Sequence, residues 1–205
     1  MYDVRYLIGC YNKSVILTYV GVAFAIFGMC NVERVRLAVV CLIVAGICDL
    51  FDGKIARMCK RTEQEKEFGV QIDSLADVIA SLIFPMMILH QVCSISEVMS
   101  VLTIIVGVLY VLAGVTRLAW FNITTDGKTK HFQGVPVTAI AIIVPFVFLI
   151  FGSFEIFPYV FLGTYLITAI LFVWNMKVPK PTGKGYIILS LLAIIAGILV
   201  YNKWW

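Results

Sequence analysis

The chain of 205 residues is 61% hydrophobic and only 14% charged, with a mean hydropathy of +1.00. These proportions exclude a soluble globular domain and a disordered chain, and leave a protein made mostly of lipid-facing helices. The net charge of +4 does not argue for nucleic acid, because no basic face with interleaved aromatics stands clear of the apolar runs.

Residues 1–13, MYDVRYLIGCYNK, lack a clear signal-peptide cleavage pattern and read as a segment lying along the membrane surface. Apolar runs follow at Val15 to Met29, Leu37 to Ala56, Val70 to Leu89, Val98 to Trp120, Val135 to Phe151, Phe157 to Trp174 and Tyr186 to Tyr201. Each approaches the ~20 residues that cross a hydrocarbon core. The fold class is therefore an all-α polytopic membrane bundle of about seven spans, with six to eight allowed by the shorter runs. The connections leave no room for a second domain, so 1–205 reads as one membrane-embedded domain, with 184–205 as an extra C-terminal helix ending in the interfacial anchor Lys203-Trp204-Trp205.

Basic residues set the orientation, since Lys and Arg in short connections stay on the cytoplasmic side. With the N-terminus inside, that side holds Arg5, Lys13, Lys54, Arg57, Lys60, Arg61, Lys66, Arg117, Lys128, Lys130, Lys177, Lys180 and Lys184, which is 13 of the 16 Lys and Arg. Arg34, Arg36 and Lys203 fall outside. The six cysteines form no CxxC pair and sit mostly in apolar runs, where they read as small core residues. Gly21 and Gly28 share one side of the first span, where glycine permits close approach by another helix or by a ligand, packing being the plainer reading.

Four carboxylates break this apolar pattern. On a helix turning about 100° per residue, Asp49, Asp52, Gly53 and Ala56 share one face, with Arg57 at its edge. In the next span Gly69, Asp73 and Asp77 recur at i, i+4 and i+8, a stripe about 80° wide. A single Asp near a membrane boundary reads as a charge reaching for water. Four brought together at low dielectric repel one another unless a multivalent cation lies between them. Hard cations such as Mg²⁺ or Mn²⁺ prefer carboxylate oxygen, and a pair of them can activate a hydroxyl and neutralise a pyrophosphate, so the constellation suggests phosphoryl-group transfer. A transporter with an acidic cation path is the alternative from another class, but the chain shows no repeated halves or paired broken helices.

The order Asp49-x2-Asp52-Gly53-x2-Ala56-Arg57, then Gly69-x3-Asp73-x3-Asp77, resembles the signature of the CDP-alcohol phosphotransferases. The eleven residues between Arg57 and Gly69 exceed the family's usual gap, and the charged run MCKRTEQEKEF reads as a longer loop. The resemblance implies that Asp49, Asp52, Asp73 and Asp77 hold one or two divalent ions, that Asp77 is also the catalytic general base, and that Asp52, Gly53, Ala56, Arg57 and Gly69 hold the CDP moiety. Two further segments, Arg117-Leu-Ala-Trp-Phe-Asn122 and His131-Phe-Gln-Gly-Val-Pro136, resemble the branch of the family that uses serine as acceptor, although Trp120 and Thr138 stand where that branch commonly has arginine and proline.

These resemblances imply an enzyme of phospholipid biosynthesis in the cell membrane, with its active site facing the cytoplasm. It would transfer the phosphatidyl group of CDP-diacylglycerol to L-serine, release CMP, and act as a homodimer. Arg117, Gln133 and Gly134 become the candidate acceptor-binding residues. Physically, an arginine just inside the membrane needs an anionic partner, for which a carboxylate or phosphate suffices, so glycerol phosphate and inositol phosphate stay open as acceptors.

Overall fold

A computed structural model describes residues 8–124, 131–179 and 184–202. Among these residues the chain forms α1 (Lys13–Cys30), α2 (Val35–Met58), α3 (Glu63–Asp77), a π-helical turn (Val78–Ile83), α4 (Phe84–Cys93), α5 (Glu97–Thr124), β1 (His131–Gln133), a 3₁₀ turn (Val137–Ala139), α6 (Ile140–Phe151), α7 (Phe157–Val173), β2 (Lys177–Pro179) and α8 (Lys184–Asn202). α3, the π-turn and α4 run on as one passage, which makes seven helical passages among the described residues, within the six to eight that the apolar runs allow. Lys13–Cys30, Glu63–Cys93 and Glu97–Thr124 are long and apolar enough to cross a membrane by length and composition alone. The protein is a polytopic membrane bundle.

Helix α1 shows how the sequence divides its surfaces. Ser14, Thr18, Gly21, Ala25 and Gly28 are buried, whereas Ile16, Val20, Phe24 and Phe27 are exposed. Lipid is as apolar as leucine, so no hydrophobic gain drives such a helix inward; small residues, which allow close approach, face the neighbour instead. A Cβ at Gly21 would lie 3.1 Å from Cys48 Cβ, and one at Gly28 would overlap Cys41 and the Phe84 ring. Those pairings run antiparallel along α2. Asn12 caps α1, its side chain accepting from Val15 N at 3.1 Å.

The centre of the bundle is aromatic. Tyr110 and Tyr165 are fully buried with ring centroids 5.0 Å apart, and Phe172 and Phe161 stack on them at 5.3 and 5.2 Å. Their hydroxyls are not idle. Pro85 has no N–H to offer the Ser81 carbonyl four residues earlier, and Tyr110 supplies the missing donor at 2.6 Å. Tyr165 donates to the Pro85 carbonyl at 2.7 Å. The turn before this proline is widened into a π-helix, and α4 resumes directly from Phe84.

One reading from sequence changes. The charged run after Arg57 is not a long loop: α3 begins at Glu63, and only residues 59–62 lie between the helices. Thr62 starts α3 with a capping box, accepting from Glu65 N at 3.2 Å while the Glu65 carboxylate takes the Thr62 N–H at 2.9 Å. The all-α class holds, with one short ribbon added to it, in which β1 pairs antiparallel with β2, His131 opposite Pro179 and Gln133 opposite Lys177. None of the six cysteines is in a disulfide. The interfacial reading of residues 1–13 lies mostly outside the described residues, as does the Lys203-Trp204-Trp205 anchor.

Candidate active site

Helices α2 and α3 deliver the acids. Asp49 and Asp52 lie on one face near the end of α2, and Asp73 and Asp77 on one face near the end of α3. One carboxylate oxygen from each of Asp49, Asp52 and Asp73 lies within 4.8 Å of the other two. Asp77 is not in this trio, but it lines the same cleft, a space of about 270 Å³ including its open mouth. The other walls are Thr18, Gly21 and Val22 of α1, Ala45 of α2, and Ala76, Ala80 and Ser81. Nearly all are small, and this leaves room between three closely packed helices.

The acids are held from several sides. Asp52 is buried, and the Thr18 hydroxyl approaches its Oδ2 at 2.5 Å. Ser81 Oγ donates to Asp77 Oδ1 across a long 3.4 Å. Next to Asp73, Ser74 Oγ accepts from Asn122 Nδ2 at 2.8 Å, which ties α3 to the end of α5. Arg117 of α5 is buried over the Phe121 ring, 5.2 Å from its centroid, where its charge acts on Asp77 and Asp49. Four carboxylates against one guanidinium leave a formal charge of −3 in a largely apolar bundle when all are ionised. An oxygen-rich trio of this spacing suits a hard divalent cation, whose charge would remove the mutual repulsion.

The remaining candidates divide. Gly53 is exposed, and a Cβ there would meet nothing within 4 Å, so the α2 surface beside Asp52 is open to a ligand. Ala56 is half-buried and Arg57 exposed on the next turn. Gly69 is covered by Arg61, whose Nη1 would lie 3.2 Å from a Cβ at that position. Gly134 has φ +72, donates its N–H to the Met176 carbonyl at 2.8 Å, and leaves no room for a Cβ, which would come 2.6 Å from the Phe172 carbonyl oxygen. Its glycine therefore has a structural explanation in the docking of the ribbon on α7. The Gln133 side chain lies outside the described residues.

On α1 sequence reasoning singled out only the glycines, of which Gly21 lines the cleft; it did not single out Thr18, which reaches the cluster. A polar side chain one turn before Gly21 on the packed face of an apolar helix was the available signal. Tyr110 and Ser81 were missed for another reason: their roles depend on a π-turn that no sequence period announces.

The relatives point the same way as the geometry. The model of the CDP-alcohol phosphatidyltransferase family matches residues 12–201. A CDP-diacylglycerol–serine O-phosphatidyltransferase of Helicobacter pylori is 32% identical over 145 residues, covering 68% of this chain and 59% of that protein. The archaetidylserine synthase of Methanothermobacter thermautotrophicus is 29% identical over 167 residues, 82% of this chain and 66% of that one. The CDP-diacylglycerol–serine O-phosphatidyltransferase of Saccharomyces cerevisiae is 31% identical over 111 residues, 49% of this chain and 38% of that one. The chain thus spans less than two thirds of the length of these relatives. A match over nearly the whole chain, with the acids of its signature converging on one cleft, establishes that the protein belongs to the CDP-alcohol phosphatidyltransferase family.

Proposed function

We propose that the protein transfers the phosphatidyl group of CDP-diacylglycerol to the hydroxyl of L-serine, giving phosphatidylserine and CMP. The observation that carries this reading is the convergence of Asp49, Asp52 and Asp73 within 4.8 Å, beside a cleft that Asp77 lines. Asp49, Asp52 and Asp73, with Asp77 beside them, would hold one or two Mg²⁺ or Mn²⁺ ions, which supply charge neutralisation at the pyrophosphate and activation of the acceptor hydroxyl.

The chain's own residues supply the rest. Asp77 takes the proton of the serine hydroxyl as its oxygen bonds to the phosphatidyl phosphorus. The bond from that phosphorus to the bridging oxygen breaks, and the electron pair leaves with CMP. Gly53 and Ala56 leave space for the nucleotide, and Arg57 and Gly69 flank it. Arg117, already buried beside Asp77, has the planar fork that matches a carboxylate, and it is the residue we assign to the acceptor. The names of the relatives support serine: their lipids differ, phosphatidyl in one and archaetidyl in another, while serine recurs.

The same reading makes the chain a single catalytic domain in the cell membrane, with the cleft on the cytoplasmic side where the basic residues gather, and a homodimer. Glycerol phosphate or inositol phosphate as acceptor is the second reading, favoured only by the fact that an arginine binds phosphate as readily as carboxylate. Purified protein supplied with CDP-diacylglycerol, Mg²⁺ or Mn²⁺, and L-serine, glycerol 3-phosphate or inositol 1-phosphate separates them by the mass of the lipid product. Phosphatidylserine from serine alone is expected. A phosphorylated product would move the acceptor, and no CMP release with any of the three would end the proposal.

A further inference from the structure

Arg61 lies in the link 59–62, outside the family signature, in the part of the chain where the gap before Gly69 is longer than usual. The structure folds this residue back over Gly69, its Nη1 3.2 Å from the place of a Cβ there. Its Nε is buried and has no hydrogen-bond partner. The two acids nearest to it in sequence are engaged elsewhere: the Glu63 carboxylate holds Lys66 Nζ at 2.7 Å, and the Glu65 carboxylate closes the capping box on Thr62. That capping box fixes the backbone directly after Arg61, so the guanidinium is presented from an anchored position.

A buried N–H with no acceptor costs free energy that an anion would recover. Gly69 stands one helical turn from Asp73, about 6 Å along α3. A diphosphate held at the aspartates could therefore also reach the arginine. We propose that Arg61 is a phosphate-binding residue that covers Gly69 and closes the outer end of the nucleotide-lipid site. The proposal rests on the reading of CDP-diacylglycerol as donor and adds to it a contact that the signature does not contain. The guanidinium fork can hold two oxygens of one phosphate, which a lysine cannot. The phosphate is that of the nucleotide-lipid or that of an anionic headgroup packed beside the link, and the chemistry at Arg61 is the same for both.

The experiment compares wild type, Arg61→Gln and Arg61→Lys, with Lys66→Gln as a control for loss of one surface charge from the same region. Soluble CDP binding is measured by calorimetry with Mn²⁺ in neutral detergent, and CDP-diacylglycerol turnover is measured against the mole fraction of phosphatidylglycerol in mixed micelles. Thermal unfolding and Mn²⁺ affinity of Arg61→Gln should match wild type, since neither helix nor aspartate is touched. The expected result is CDP binding weakened roughly 10- to 100-fold in Arg61→Gln, partly recovered in Arg61→Lys and unchanged in Lys66→Gln. Unchanged CDP binding together with a lost response to phosphatidylglycerol would assign the same site to a lipid headgroup. Wild-type behaviour of Arg61→Gln in both measurements would overturn the proposal. The donor reading fails separately: wild type that binds CDP through Arg61 but releases no CMP from CDP-diacylglycerol leaves the phosphate site standing and removes the reaction.

Discussion

Thr18 of α1 and Asp52 of α2 meet through a side-chain contact of 2.5 Å, which ties the first helix to the acidic cluster. The Thr18 oxygen also lies 3.1 Å from the Ser14 carbonyl, but its single proton cannot serve both well, and the shorter contact to a carboxylate is the stronger. Fixing Oδ2 of Asp52 holds its carboxylate beside those of Asp49 and Asp73. Groups that orient metal ligands in this way typically change metal affinity by about 10- to 100-fold. Thr18→Val, which keeps the shape and removes the hydroxyl, should weaken Mn²⁺ binding by that factor, and Thr18→Ser should restore it. Manganese titration followed by electron paramagnetic resonance checks this; equal affinities in wild type and Thr18→Val would show that Asp52 needs no such support.

Removing the divalent ion should abolish turnover. EDTA is expected to stop CMP release, and added Mg²⁺ or Mn²⁺ to restore it. Asp49→Asn and Asp73→Asn should each lower the rate by roughly 1000-fold or more, because the charge stabilisation lost is several kcal/mol. Both variants should still elute as folded protein in detergent, since exchanging a carboxylate for an amide of equal size relieves repulsion in the cluster. Full activity in EDTA would contradict the metal reading.

The Tyr110 hydroxyl is predicted to stabilise the bundle by completing a carbonyl that Pro85 leaves without its helical donor. Tyr110→Phe leaves the Ser81 carbonyl buried and unpaired, at a cost of about 1–3 kcal/mol. Pro85→Ala introduced into that variant supplies an N–H from within the helix and should recover part of the loss. Unfolding of the three variants in a common detergent measures it, and a Tyr110→Phe variant as stable as wild type would show that the carbonyl finds another donor.

Glycines in the site region should respond oppositely to substitution. Gly134→Ala forces a side chain into a φ of +72 and against the Phe172 carbonyl, so folded yield and thermal stability should fall. Gly53→Leu meets open space and should leave stability nearly unchanged, while the larger side chain obstructs the face beside Asp52 and weakens CDP-diacylglycerol binding. Equal lipid affinity in wild type and Gly53→Leu would move the nucleotide away from this face.

Arg117→Lys keeps a positive charge beside Asp77 but loses the planar fork and its stacking on Phe121. If Arg117 holds the serine carboxylate, the KM for serine should rise by roughly 30- to 150-fold, equivalent to about 2–3 kcal/mol, with CDP-diacylglycerol affinity barely altered. Serine-dependent CMP release at saturating lipid provides the measurement. An unchanged KM for serine would remove Arg117 from the acceptor site.

The sequence by itself determined the class of the protein, its helical passages and which acids share a helical face. Long apolar runs need no partner to be recognised, because the bilayer rather than tertiary packing dictates their length. The i, i+3 and i, i+4 spacings of Asp49, Asp52, Asp73 and Asp77 place each pair on one helical face whatever surrounds it. Periodicity is silent about which helices touch. Only the tertiary structure brought Thr18 to Asp52, laid Arg61 over Gly69, drew Tyr110 to the carbonyl freed by Pro85, and gave Gly134 a packing role on α7. Each of these depends on contacts between residues far apart in sequence, or on a loop turning back on its helix. Such contacts are decided by the close fit of small and aromatic side chains between helices, which in lipid replaces the hydrophobic effect as the force that orders the bundle.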